Sequence, residues 1–304
     1  MTRTPTAAVP DRLQMRVLAG VYRHANAARQ MAAEARAGRE ATGELPPLSW
    51  TRQFRSAILL GQELEKAGAG AGVPREWLTQ VRTRAHLGQP WRRDLHWHTP
   101  RPVNRDRQLI ALAVEAHRIQ DVAAVVVAYG DRGAHAEPGT ATWVVRNLRR
   151  SRTRLVQQAR LLGVTDAEAD RLWNSPEHWD AVADRVREAG ADELDTRWRA
   201  HARSDQTSTV LQARALTKAG ITAPANGALP RPDRILDILR QHLTLSVGLD
   251  PANVPDVGVS LGAAEGIEAA VAVTGIDAGA SQPLEALSPQ AMPSRPDPGV
   301  EVGP

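Results

Sequence analysis

Three groups of residues have side chains and spacings that could do chemistry. Gly258-Val259-Ser260-Leu261-Gly262 satisfies G-x-S-x-G, the pattern that exposes a serine nucleophile at a sharp strand-to-helix turn. That turn needs a strand before it and a histidine later in the chain, and the last histidine is His242. The run is expected to be a small-residue stretch without a catalytic role. His96-Trp97-His98, with Asp94 upstream, would project two imidazoles to one side of an extended segment. No H-E-x-x-H pattern, Glu-x-x-His pair or cysteine completes a ligand set, so no metal is expected there. Glu115, His117 and Asp121 share one helical segment, and His117 and Asp121 stand one turn apart. That spacing predicts a surface ion pair rather than an acid/base couple.

The glycine-rich run 68–72 has the composition of a phosphate loop, but no Lys-Ser/Thr follows it and no strand precedes it. It is read as a hinge. With no cysteine in the chain, disulfides and thiolate chemistry are excluded. No catalytic, cofactor-binding or metal-binding residue is assigned, and an enzyme is not expected.

Two binding features remain. Residues 64–82 fit a helix-turn-helix, with small Ala67 and Gly68 in the first helix, Gly72 at the turn, Val73 after it, and Leu78 and Val81 facing inward. Arg75, Thr79 and Arg82, with Thr83 beside them, then become candidates for a nucleic-acid groove or backbone. The same Gly-Val sequence at Gly163-Val164 shows that an ordinary helix C-cap would look alike. The second feature is the helix over 141–162. A helical wheel puts Val144, Leu148, Leu155, Ala159 and Leu162 in one arc and Arg146, Arg149, Arg150, Arg154 and Arg160 opposite. Like charges repel across a turn and are tolerated better if an anionic partner neutralises them. That face lacks the bulky apolar edge a membrane surface would need.

Charge supports the same direction. The chain is +4 overall, but residues 245–304 carry eight acids against Arg295, which leaves the preceding body at about +11. Only Lys66 and Lys218 are lysines, so arginine, whose planar fork suits phosphate and carboxylate, carries the positive charge. A GC-rich genome would enrich arginine and alanine for unrelated reasons.

Helical periodicity defines the elements that must position these groups. Residues 11–40 place Leu18, Val21, Tyr22, Ala25, Ala28, Met31 and Ala35 on one face. A second helix, opened by Ser49 as N-cap, runs over 50–67 with Phe54, Ile58, Gly61 and Leu64 inward. A short helix over 74–86 and a Trp- and Pro-rich run over 89–103 follow. The plan recurs about 93 residues later in long helices over 104–129 and 141–162, the pattern of an internal duplication. A capping box at Thr165 to Glu168 and the pair Ser175-Pro176 open later helices, which continue over 180–190 and 192–219. Most of the eight tryptophans are expected to anchor the core. No period-two, β-branched ladder appears.

The expected fold is all-α: a helical bundle of two long hairpins plus shorter helices. Residues 1–10 form a flexible N-terminus, 11–102 the first hairpin with its third helix, and 103–220 the second hairpin with the helices after it. Residues 221–304 form an acidic, Pro/Gly/Ala-rich tail, disordered but for a short helix near 234–245. The N-terminus lacks a signal-peptide pattern, and no apolar run is long enough to span a membrane, which points to the cytoplasm. The function these features suggest is a nucleic-acid-associated accessory protein. A helical adaptor whose arginines meet acidic protein surfaces is the rival.

Overall fold

Helix α1 (Arg12–Thr42) opens with a capping box in which the Asp11 carboxylate accepts from Leu13 and Gln14 N–H and the Gln14 side chain accepts from Asp11 N–H. A left-handed Gly43 ends it, and Leu45-Pro46-Pro47 turns the chain into α2 (Leu48–Gly70). Pro47 occupies the N-cap, so Ser49 lies in the first turn and caps nothing. The pair packs along its length, with Val17, Leu18, Val21, Leu60 and Leu64 buried where α3 (Arg75–His86) closes over α1. The computed structural model describes residues 9–131, 140–224 and 227–245.

The second hairpin is α4 (Arg105–Asp131) and α5 (Thr140–Leu162). Every residue from Ala123 to Tyr129 is buried, because α5, α7 (Pro176–Arg187), α8 (Ala191–Ala202) and α10 (Pro232–Leu245) all pack on α4. Between α5 and α7 lies the short α6 (Asp166–Leu172), opened by the expected Thr165–Glu168 box. The helix expected over 192–219 is two helices, α8 and α9 (Thr207–Lys218). Ser204 Oγ donates to His201 O and Thr207 N donates to Asp205 Oδ1, local bonds that offer the backbone an alternative to the helix. The fold is all-α, with no strand among the described residues.

Helix α9 joins the two hairpins by packing against both α2 and α5. Its contacts are polar as well as apolar. Ser208 Oγ and Gln212 Nε2 donate to Glu63 Oε2 of α2 at 2.6 and 2.9 Å, and Gln157 Nε2 of α5 donates to the carbonyls of Ala213 and Ile221. Burial pushes the Glu63 carboxyl up, but bonds from Lys66, Ser208 and Gln212 outweigh it and hold the group below its usual range. The described residues fall in a single compact unit, so the expected boundary near residue 102 separates two hairpins of one core.

The expected tail boundary at residue 221 also shifts. Ile221, Leu229, Ile235 and Leu239 are fully buried, and α10 packs on α4, α7 and α5. The side chain of Arg152, itself buried, donates through Nε to Pro230 O at 2.6 Å and through its NH2 to Leu229 O at 2.9 Å, which fixes this segment to α5. The rest of the acidic stretch, including Ser260, lies outside the described residues.

Candidate nucleic-acid interface

Helix α3 begins after a tight turn. Ala69 O accepts from Gly72 N–H and Gly68 O from Val73 N–H, the Schellman pattern, with Gly72 at φ 86°. The same pair of bonds closes α5 at Gly163-Val164 and α9 at Gly220-Ile221, which accounts for the repeated Gly-Val signal by capping alone. Trp77, Leu78, Val81 and Ala85 turn into the core. Arg75, Thr79, Arg82, Thr83 and His86 share the outward face, and all are exposed. The helix-turn-helix candidates are thus brought together on one solvent surface, although α3 lies mainly along α1 and has little contact with α2.

The run after α3 folds back along it. Gln80 clamps it through Nε2 to His96 O at 2.7 Å and through Oε1 from His98 N–H at 3.1 Å, while Trp77 Nε1 donates to His98 O and Arg84 to Pro90 O. His96 and His98 therefore serve through their backbones, and their side chains are exposed. The clamp sets Arg92, Arg93 and Arg101 in solvent beside α3, and residues 75–101 hold six arginines against Glu76 and Asp94. Two of those arginines lean on acids, Arg82 on Glu65 at 2.9 Å and Arg101 on Glu76 at 3.8 Å. Burial pushes the Glu65 carboxyl up in spite of Arg82 and His86 beside it. Such surface pairs contribute only about 0–1 kcal/mol and exchange readily for another anion.

The arginines of α5 are only partly brought together: Arg146, Arg149 and Arg150 stand within one turn of each other, while Arg154 and Arg160 are engaged elsewhere. This helix runs through the middle of the bundle, with α4, α8, α9, α10 and α2 around it. Arg154 is turned inward, bonded to Glu115 at 2.5 Å and to Gln212 Oε1 at 3.1 Å, its side chain only 18% exposed. Arg160 is exposed but bonds Thr222 O and Oγ1. Arg146 lies 4.9 Å from the ring of Trp143, and half-buried Arg149 and Arg150 are each engaged within the fold. A wheel separates apolar from charged residues, but a guanidinium can face inward when a carboxylate or carbonyl waits for it. The expected single basic face is replaced by five arginines in different surroundings.

The Glu115, His117 and Asp121 group is also rearranged. Asp121 pairs with Arg185 at 2.6 Å, and His117 stacks on His178 with ring centroids 3.8 Å apart. Of the tryptophans, Trp77, Trp97, Trp173, Trp179 and Trp198 are buried; Trp50 and Trp91 are half-buried and Trp143 is exposed. Arg92, Arg93 and Arg101 are not among the sequence candidates, because an irregular Trp- and Pro-rich run has no helical face on which charges can be grouped. The signal was present in its arginine excess.

The class this defines is an all-α protein with a basic helix and a clamped basic segment at its surface. No protein-family model matches the chain, and comparison with curated proteins and with solved structures found no match.

Proposed function

We propose that this is a non-enzymatic nucleic-acid-associated protein whose arginine-rich body contacts phosphate. The observation that carries the reading is the outward face of α3, where Arg75, Thr79 and Arg82 stand exposed beside Arg92, Arg93 and Arg101. Arg75 has no carboxylate partner among the described residues, and the pairs of Arg82 and Arg101 are weak surface ones. The acidic C-terminal stretch, by its charge, weakens and releases that contact. No helix among the described residues is long and apolar enough to cross a membrane.

The test is fluorescence anisotropy with labelled random-sequence duplex DNA from about 50 to 200 mM salt. Affinity is expected to fall steeply, and Arg75→Ala with Arg82→Ala to lower the log–log salt slope by about 2, near 0.9 per phosphate contact. Absence of binding at the lowest salt would overturn the reading. A helical adaptor is the second reading, favoured by Leu45 and Leu48, 74% and 76% exposed at the tip of the first hairpin. An adaptor leaves duplex unbound at every salt concentration.

A further inference from the structure

A cleft of about 500 Å³ is lined by Arg12, Met15, Arg16 and Ala19 of α1 and by Trp91 and Arg93 of the clamped run. Three arginines and an indole face it, and among the described residues no acid does. The neighbouring acids are outside the lining: the Asp11 carboxylate caps α1, and Asp94 is exposed. Arg12 and Arg93 are exposed, with no ion-pair or hydrogen-bond partner among the described residues. Arg16 is oriented by donation to Gly220 O at 2.9 Å.

The aromatic wall is braced. Trp91 leans on Tyr22 at 5.6 Å between centroids and meets Trp97 edge-on at 6.5 Å. Tyr22 Oη donates to Gln89 O at 2.8 Å, which fixes the spacing between α1 and the run. Trp91 is half-buried, and the part left uncovered lies with half-buried Met15 in the wall of the cleft. A fixed indole flanked by arginines offers a stacking surface for any base and donors for the phosphates on either side of it. The volume lies within the range of about 300–1,000 Å³ usual for small-molecule sites.

We infer that this cleft takes an unpaired nucleobase with its adjoining phosphates, the base on Trp91 and the phosphates on Arg12, Arg16 and Arg93. The inference rests on the nucleic-acid reading and adds that the strand held here is single.

The experiment uses the full chain and labelled oligothymidylate, with random duplex in parallel. Saturable binding of the oligonucleotide is expected, weakened about tenfold by Trp91→Leu and restored by Trp91→Phe. Arg93→Ala, at an exposed position, should reduce its salt slope by about 0.7. Circular dichroism checks that each variant is folded, and Arg93→Ala keeps the test alive if Trp91→Leu is not. Displacement by excess adenosine monophosphate, with equal inorganic phosphate inert, supports base recognition and extends it to free nucleotides. Displacement by both alike shows that charge alone is read and overturns the inference. Oligonucleotide binding that ignores Trp91 and Arg93 while duplex binding depends on Arg75 and Arg82 defeats the inference and leaves the function reading standing. Binding of oligonucleotide through Trp91 without any duplex binding defeats the duplex contact at α3 and leaves the cleft as the nucleic-acid site, and binding of neither defeats both.

Discussion

His117 and His178 show how neighbours decide what a side chain can do. Carbonyl oxygens only accept, so His117 Nε2, 2.9 Å from Leu172 O, carries its proton. Gln120 donates through Nε2 to Trp173 O, which turns its Oε1 toward His178 Nε2 at 2.8 Å and makes that nitrogen a donor too. Both rings are satisfied when neutral. Burial, then His117 and Arg185, lower the His178 pKa, with Asp121 opposing; burial also lowers those of His24 and His201. The unfolded chain therefore binds more protons than the folded one between the depressed folded values and about 6.5. The contribution of these histidines is complete above about pH 6.5 and is lost as pH falls below it. Thermal melts from pH 7.5 to 5 should show this loss, and His178→Gln should reduce its slope; an unchanged slope would count against the stacked pair as a contributor. Sequence could supply His117 but not its partner, since His178 is distant in the chain. Arginine is still harder to read: Arg75 points to solvent, Arg152 to carbonyls and Arg154 to a carboxylate, from similar polar contexts.

Helices were the most legible level, because caps and periodicity are local. The box at Thr165, the proline-opened helix after Ser175 and the glycine-closed ends all formed where their residues lay. Packing partners were not legible: nothing in the residues of α5 announced that four other helices besides α4 would surround it. The Gly-Val caps of α2 and α5 differ in what they meet. A Cβ at Gly72 would approach Leu162 Cδ1 to 2.9 Å at φ 86°, whereas one at Gly163, φ 69°, would meet nothing within 4 Å. Gly163→Ala should cost about 1 kcal/mol, the backbone penalty alone. Gly72→Ala adds a clash between hairpins and should cost about 1 kcal/mol more. Urea titration of both variants measures the difference, and equal costs would mean that Leu162 yields freely.

On the scale of the whole chain, the change in composition at Gly220 was misleading about where the body ends. Prolines and small residues there conceal five apolar side chains, Ile221, Leu229, Ile235, Leu236 and Leu239, that the core needs. Each stabilises by about 1.5–3 kcal/mol when fully buried, against a total stability of about 5–15 kcal/mol for a typical domain. A chain ended after Leu245 should keep its cooperative melt and, freed of acids, bind duplex more tightly. One ended after Gly220 should not fold. A cooperative melt from the shorter chain would show that α10 is dispensable.

The packing of α10 on α4 also has a consequence for biosynthesis. About a hundred residues separate the end of α4 from the middle of α10. At roughly 5–20 residues per second, translation leaves the side of α4 that α10 covers waiting about 5–20 s for its lid. During that time the nascent chain displays an apolar strip that α10 later covers. Slower elongation lengthens the exposure, so yield of soluble protein should depend on the speed of decoding between residues 131 and 245.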